Sequence, residues 1–364
     1  MDGENNVWIV KLNPSGGLLT EKEYKKWKNI RELEKVLEKK FTKEEIENYH
    51  EKYKNKEIAN LCKNEGIIAI GWLLNPMDTW AKYPPETVIN QEKFKELYKN
   101  TPWYKENKTK LNPSIKKFQE LKEGDFCWVR DSSDKYYVCK IKGDWYYDNS
   151  KEAWAMDIAQ RYDCKWVEVG DATEAPSEIV KKLITLGGTV SKIKDITLID
   201  ISNYLFENGG EKAVKKAVTE FNEGGYIVGD ISIIDNLTQY EYEDFVGFYL
   251  QKKGYFIMPS TRYQSTEGYE FVAIKQNEKM VVQAKYYKEK SEKLDANESR
   301  YKNLSKTYTL YLACNNGIKN NDNDNNKIKQ VKNSELEKFI RENPFLIPDR
   351  VKFLVVYTRN HSKT

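Results

Sequence analysis

Residues 280–286 read Met-Val-Val-Gln-Ala-Lys-Tyr, a short apolar and β-branched run that predicts a buried strand. A similar run, Tyr269–Lys275, precedes it, and four polar residues separate the two. This spacing predicts an antiparallel hairpin. Because residues two apart on a strand face the same side, Gln283 and Lys285 project together, and Glu270 on the neighbouring strand can reach the same face.

A helix is predicted directly before the hairpin. Thr238 and Glu241 form a capping-box pattern at its start, and Gly254 is placed to end it. Apolar residues recur between them at helical spacing, which predicts a face that packs on the sheet. Glu243 lies on the flank of this face, so it is placed to approach Glu270.

The last third of the chain therefore reads as α-β-β-β-α-β with an α-β extension. In chain order the predicted elements are the helix from Thr238, strands Tyr255–Pro259, Tyr269–Lys275 and Met280–Tyr286, a helix within Lys288–Lys306, the strand Thr307–Cys314, a helix from Ser334 and a final strand Val351–Tyr357. An asparagine-rich loop follows Cys314.

Two carboxylates, one amide and one ammonium group are thus expected at one place. Hard cations such as Mg²⁺ or Mn²⁺ prefer oxygen ligands, so Glu270, the Gln283 carbonyl and Glu243 are the predicted metal ligands. Lys285 would position the attacking water and stabilise charge on a phosphate. The four residues form the predicted catalytic site of a phosphodiester hydrolase.

Composition excludes several other reaction classes. The chain has only two histidines, His50 and His361, which argues against Ser-His-Asp triads, histidine-metal nucleases and zinc deaminases. It has no GxxxxGK[ST] loop, and its five cysteines include no CxxC pair, so they are predicted as core residues. A net charge of +4 over 364 residues implies that any phosphate-binding surface is local. The absence of a signal-peptide pattern and of a long apolar run predicts a cytoplasmic protein with no membrane segment.

The first half has a different character, since all nine tryptophans precede residue 167. Val7–Leu12 and Ile67–Leu74 read as buried strands on either side of a charged helical insertion at about residues 20–64, which has capping-box patterns at Thr20 with Glu23 and Thr42 with Glu45. Four shorter strands and tight turns then predict a small β-barrel or sandwich. The strands are Phe126–Arg130, Tyr136–Lys142, Trp145–Tyr147 and Lys165–Val169.

The whole chain is therefore predicted as an α+β protein of three parts. Residues 1–172 form a small β-barrel-like domain that carries the helical insertion, and residues 173–235 form a connector. Helices are expected within the connector at Ser177–Leu186 and Gly210–Asn222. Residues 236–364 form the αβββαβ domain.

At this point the sequence resembles a known family. The helix glutamate, Gly268-Tyr269-Glu270 and Val282-Gln283-Ala284-Lys285 resemble the Mrr-type branch of the PD-(D/E)XK nucleases, in which QxK replaces the commoner ExK. By position, Glu243 matches the helix acid, Glu270 the strand acid, Gln283 the third ligand and Lys285 the motif lysine. The resemblance implies a restriction-endonuclease-like fold, a Mg²⁺ cofactor and a DNA substrate. The strand acid is usually aspartate, and the extra methylene of Glu270 changes the reach to the metal.

The first half resembles the PUA- or EVE-like reader domains of Mrr-like restriction proteins, through residues 7–10, 66–72 and 124–130. Such a reader implies recognition of a modified or flipped base. Aromatic candidates for base contact are Trp72, Trp80, Trp145 and Tyr146, with the alternative that the tryptophans fill a domain core. Candidate phosphate contacts are Lys110, Lys116 and Lys117 before the barrel and Lys285, Lys288 and Lys290 beside the active site, with the alternative that these are solvated faces.

The leading hypothesis is a Mg²⁺-dependent DNA endonuclease of restriction type in anti-phage defence, in which the N-terminal domain recognises DNA or a modified base. One alternative is a catalytically inactive binding or regulatory protein on the same fold. Another is a nuclease effector that acts on DNA or RNA after a trigger from a partner defence protein. The helical insertion is a candidate for binding a partner protein or for gating the reader domain. Because double-strand cutting usually requires two active sites, a homodimer is a further hypothesis.

Overall fold

The computed structural model describes residues 5–12, 42, 44–45, 48, 57–71, 74, 79, 82–100, 104, 110–185, 188–193, 195–224, 231–259, 269–319 and 327–361. It divides into two compact units, Met1–Val214 and Lys215–Thr364. No described helix combines the length and the apolar character that crossing a membrane requires. The predicted helical insertion lies mostly outside the described residues. Its capping box at Thr42 and Glu45 is present, because each residue's backbone N–H donates to the other's side chain.

The first unit is built on one sheet with helices beside it. Its strands are β1 (Val7–Val10), β2 (Ile67–Ile70), β3 (Val88–Ile89), β4 (Phe126–Arg130), β5 (Tyr136–Asp148), β6 (Gln160–Gly170) and β7 (Val190–Ile193). Its helices are α1 (Ile58–Glu65), α2 (Gln91–Tyr98), α3 (Pro113–Phe118), α4 (Lys151–Met156), α5 (Ser177–Thr185) and α6 (Ile196–Glu207). The boundary between the units falls within α7 (Glu211–Glu223).

The prediction of a small barrel is wrong for the described residues. The sheet has the order β2-β6-β5-β4-β1-β7, with β3 paired to β5, and no pairing between β2 and β7 closes it. The physical reason is that the segment predicted as a connector supplies β7, which pairs with β1 and extends the sheet at that edge. Helix α6 of the same segment also packs on the sheet, where Trp128 Nε1 donates to Ser202 Oγ over 2.9 Å.

Two strands predicted as separate are one. Tyr136–Lys142 and Trp145–Tyr147 both lie in β5, which is interrupted by a register shift between Lys142 and Tyr146. Gly143 has a φ of 73°, which a glycine adopts without strain, so the chain takes up the extra residues and pairing with β6 continues. Gly143-Asp144 is a pattern typical of turns, but pairing of β5 with β6 keeps these residues inside the sheet.

The second unit has the predicted αβββαβ order. Its elements are α8 (Gln239–Lys252), β8 (Phe256–Pro259), β9 (Phe271–Lys275), β10 (Glu278–Lys285), β11 (Leu294–Asp295), α9 (Ser299–Thr307), β12 (Thr309–Cys314), β13 (Ile318–Lys319), β14 (Ile328–Gln330), α10 (Asn333–Glu342) and α11 (Asp349–His361). The main sheet has the order β14-β12-β10-β9-β8. The first part of Lys288–Lys306, predicted as helix, instead contains β11, whose buried Leu294 pairs with Ile318.

The predicted final strand, Val351–Tyr357, is wrong, because this segment lies in helix α11. Its apolar run suits either a buried strand or a buried helix, and periodicity alone does not separate them. Contacts at helical spacing stabilise the helix. Asp349 pairs with Lys352 at 3.2 Å, and the Tyr357 ring stacks on Phe353 and on His361 with centroids 5.9 and 4.3 Å away.

A buried carboxylate organises the start of the first unit's sheet. Asp125, 1% exposed, lies directly before β4. It accepts hydrogen bonds from the backbone N–H of Asn6 at 2.8 Å, from Trp8 Nε1 at 2.8 Å and from the backbone N–H of Lys122 at 3.2 Å. These bonds align β1 with β4.

All five cysteines are buried and free, which confirms that they are core residues.

We expect Asp125→Ala to lower the free energy of unfolding of the first unit by about 3 kcal/mol, because it leaves buried N–H donors without an acceptor. Urea unfolding followed by tryptophan fluorescence measures this, since all nine tryptophans lie in the first unit. Asp144→Ala, at an exposed position of β5, is the control and should change stability by less than about 0.5 kcal/mol. Equal shifts for the two variants would contradict the role of Asp125.

Candidate active site

Strand β10 is central in the sheet of the second unit. It pairs in parallel with β12 and antiparallel with β9, and its residues from Met280 to Ala284 are buried. Gln283 and Lys285 lie at its C-terminal end, where Lys285 pairs in register with Cys314, the last residue of β12. Two neighbours fix the position of this strand on both sides, so the two side chains start from a rigid backbone.

The structure brings Glu270 to these two residues. The backbone N–H of Glu270 donates to the carbonyl of Val282 at 2.8 Å, which places this residue beside the end of β10. Its Oε1 accepts a hydrogen bond from Gln283 Nε2 at 2.6 Å and lies 3.4 Å from Lys285 Nζ. Gln283 is only 1% exposed, whereas the side chains of Glu270 and Lys285 are 29% and 26% exposed. The strand acid, the amide and the lysine therefore meet on one face, with solvent access to the acid and the lysine.

Helix α8 supplies the fourth predicted residue. It begins with the predicted capping box, in which Thr238 and Glu241 exchange hydrogen bonds. Tyr242 is fully buried, and its hydroxyl hydrogen bonds to Asn333 Oδ1 over 3.1 Å. Glu243, one residue further along the helix, is half-buried and accepts a hydrogen bond from Gln239 Nε2 at 2.9 Å.

The charges around Glu243 show that it belongs to the same group. Burial raises the pKa of the Glu243 carboxyl to about 7, and the negative charge of Glu270 acts in the same direction. The hydrogen bond from Gln239 and the positive charge of Lys285 lower that pKa in part. Near neutral pH, the Glu243 and Glu270 carboxyl groups therefore repel each other in a partly buried place, and the positive charge of Lys285 offsets this repulsion only in part.

This donor set fits a divalent cation. A bound cation would favour the ionised form of Glu243 and offset its repulsion from Glu270. Oxygen ligands from two carboxylates and one amide suit Mg²⁺ or Mn²⁺, which keep several water ligands. Among the described residues there is no cluster of three or more His, Cys, Asp or Glu side chains, so the amide of Gln283 is needed to complete such a set.

Sequence reasoning missed Tyr301. This residue lies on α9, is fully buried, and its Oη has no hydrogen-bond partner among the described residues. Burial raises the pKa of the Tyr301 phenol, and the charge of Glu270 contributes to that shift. A buried hydroxyl within electrostatic reach of the site is an available donor. Its only sequence signal is an aromatic residue within a polar helix, which reads as an ordinary core position.

Two lysines predicted as DNA contacts near this site are more exposed than its candidate catalytic residues. Lys288 and Lys290 are both exposed after the end of β10. Lys290 Nζ lies 3.6 Å from Asp235 Oδ2, and its side chain is 86% exposed. An ion pair this exposed contributes little to stability. Their predicted role as DNA contacts stays a prediction.

The structure describes two of the four aromatic residues predicted to contact a base. Trp72 and Trp80 lie outside the described residues. Trp145 is buried in the core of the first unit, with its ring edge-on to Phe94 at a centroid distance of 5.1 Å, which favours the alternative that the tryptophans fill a domain core. The physical reason is that alternation along β5 points Trp145 inward. Tyr146 therefore faces outward, half-buried, and its hydroxyl donates to Asp163 at 3.0 Å.

Comparisons with known proteins agree with the geometry of the second unit. Residues 234–299 match the Mrr catalytic-domain family model, described as restriction endonuclease. The match includes all four site residues and confirms the resemblance to Mrr-type nucleases in this segment. The segment that resembles restriction endonucleases therefore lies in the second unit.

Two further comparisons complete these findings. Among solved structures, the chain is similar to the "DNA modification-dependent restriction endonuclease AspBHI", with 9% identity and a TM-score of 0.24 over 65% of this chain and 68% of that chain. A likeness this distant carries no argument about function. The comparison with curated proteins found no match.

We expect Glu243→Gln to stabilise the second unit at pH 8 but not at pH 4. The folded-state pKa of about 7 lies above the usual value near 4.3, so the favourable contribution of the protonated group is lost as pH rises between these values. The gain at pH 8 should be on the order of 1 kcal/mol, because partial exposure reduces the effect. Urea unfolding followed by circular dichroism, without divalent metal, measures it.

The matched control is Glu342→Gln, an exposed carboxylate on α10. Its effect on the free energy of unfolding should be below about 0.5 kcal/mol at both pH values, because the side chain is exposed. A stabilisation by Glu243→Gln that is the same at pH 4 and pH 8 would show that burial and Glu270 do not perturb Glu243.

Proposed function

We propose that this protein is a Mg²⁺- or Mn²⁺-dependent DNA endonuclease of restriction type that acts in anti-phage defence. The observation that carries the proposal is the convergence of Glu270, Gln283 and Lys285, with a 2.6 Å contact between the first two and a 3.4 Å contact between Glu270 and Lys285. The restriction endonuclease match over residues 234–299 supports it.

Glu270, Glu243 and the Gln283 carbonyl are the proposed metal ligands. A bound Mg²⁺ would act as a Lewis acid on the scissile phosphate and lower the pKa of a bound water. The chain holds the Gln283 oxygen on strand β10, the Glu270 carboxylate directly before β9 and the Glu243 carboxylate on helix α8. Gln283 is buried and hydrogen bonded to Glu270, so its side chain is held beside the strand acid.

Lys285 is proposed to orient the attacking water and to stabilise negative charge on the phosphate. Its ammonium group is held beside Glu270, and its side chain remains partly exposed. An ammonium group that is already positioned where negative charge develops stabilises the transition state far more than one on an open surface.

The first unit is proposed as the recognition part, which reads DNA or a modified base. Support comes from the sequence resemblance to reader domains and from the exposed lysines of this unit. A homodimer is proposed for double-strand cutting, since each chain supplies one catalytic group. A trigger from a partner defence protein and gating of the reader domain by the helical insertion are further hypotheses.

Lys285→Ala should lower metal-dependent DNA cleavage by at least about 100-fold, because it removes the positioned charge. The substrates are unmodified, methylated and hydroxymethylated phage DNA, each with Mg²⁺ or Mn²⁺. The control is Lys279→Ala, an exposed lysine on the same strand and face, about 20 Å away at the usual rise per residue. Cleavage by Lys285→Ala at the wild-type rate would show that the catalytic assignment is wrong.

A second candidate function is a binding or regulatory protein, or a partner-triggered effector acting on DNA or RNA, on the same fold. One observation favours it: the Gln283 amide nitrogen faces Glu270, so the amide must rotate for its oxygen to bind a cation. Calorimetry with Mn²⁺ separates the nuclease from the inactive protein, and a comparison of DNA and RNA cleavage tests the partner-triggered effector. For the nuclease we expect binding that Glu270→Ala abolishes, whereas an inactive protein would show no heat of binding in either form.

A further inference from the structure

The first unit contains a cavity that the proposed catalysis does not use. It lies between α2 and α3 and has a volume of about 900 Å³. Two helices present side chains at helical spacing to it, Lys95 with Lys99 from α2 and Lys116 with Gln119 from α3. A cavity of this volume accommodates a small organic ligand.

The rim of the cavity is positively charged. Lys95, Lys99, Lys110 and Lys116 all line it, and Glu120 is the carboxylate that lines it with them. Within the part of the chain that the structure describes, none of the four ammonium groups lies within salt-bridge distance of a carboxylate. Like charges gathered around one concavity raise the local concentration of anions. The ligand is therefore expected to carry phosphate.

The walls of the cavity are apolar and aromatic. The rings of Tyr98 and Tyr104 meet edge to face with centroids 6.1 Å apart, and Leu111 and Pro113 lie beside them. The hydroxyl of Tyr98 is fixed by a hydrogen bond from the backbone N–H of Asn112 at 3.4 Å. Tyr98 is buried, so the partly exposed ring of Tyr104 is the surface on which a planar base can stack.

One polar group in the wall has an unused donor. Gln119 Oε1 accepts a hydrogen bond from Gln91 Nε2 at 3.1 Å, which ties α3 to α2. Gln119 Nε2 is buried and has no hydrogen-bond partner among the described residues. Buried donors are normally paired, so this one is an available contact for an acceptor on a ligand. Amide side chains are well suited to base edges.

We infer that this cavity binds a nucleoside phosphate, with the base between Tyr104 and Gln119 and the phosphate at the lysine rim. The nucleotide comes either from a DNA strand or from the free nucleotide pool. The inference does not rest on cleavage by the second unit, and binding measurements test it even if the catalytic proposal fails.

The experiment measures binding of two probes to the full chain in EDTA. The first is a fluorescein-labelled single-stranded hexanucleotide followed by anisotropy, and the second is each deoxynucleoside monophosphate or ATP followed by calorimetry. Lys116→Ala and Gln119→Leu should each weaken binding by about fivefold or more. Lys117→Ala, next to Lys116 on the same helix but outside the cavity lining, should leave it unchanged.

The effect of the variants on binding of the two probes identifies the source of the nucleotide. If Lys116→Ala and Gln119→Leu weaken only hexanucleotide binding, the ligand is a nucleotide of a DNA strand. If they weaken binding of a free nucleotide, the cavity is a site for a small effector. If neither variant weakens either probe more than Lys117→Ala does, with tryptophan fluorescence showing folded protein, the inference is overturned.

Discussion

The contact between Glu270 and the end of strand β10 is the constraint on which the catalytic proposal depends. It exists only because Lys275 pairs with Glu278 across a two-residue turn, where Gln276 has a φ of 52°. A slip of one residue in this hairpin would turn Gln283 and Lys285 to the opposite face and separate them from Glu270. Pairing of β10 with β12 on its other side prevents that slip.

The same arrangement creates an electrostatic cost that a cation offsets. Glu243 is brought to the site by a helix whose buried face includes Tyr242, and its carboxyl is desolvated beside Glu270. A fold optimised for stability alone has no reason to place two carboxyl groups in a partly buried position. Divalent metal binding gives this placement a use, because it converts the repulsion into ligand affinity.

The parts that could be predicted from sequence are those with local signals. The capping box at Thr238, the hairpin and the QxK spacing are encoded within a few residues, and they correctly predicted the αβββαβ order. The strand predicted at Val351 failed because packing, rather than propensity, decides the state of a short apolar run. The barrel failed because β7 lies far along the chain from β1, and only the folded structure shows that pairing. Burial of Trp145 and the orphan hydroxyl of Tyr301 likewise depend on tertiary contacts.

The most direct measurement of the central claim is a crystal structure of the protein soaked with Mn²⁺, with anomalous data collected to locate the ion. We expect a peak about 2.0–2.2 Å from a carboxylate oxygen of Glu270 and from the rotated amide oxygen of Gln283, with Glu243 turned towards it. Strong Mn²⁺ peaks elsewhere, with Gln283 still donating its hydrogen bond to Glu270, would contradict metal binding at this site.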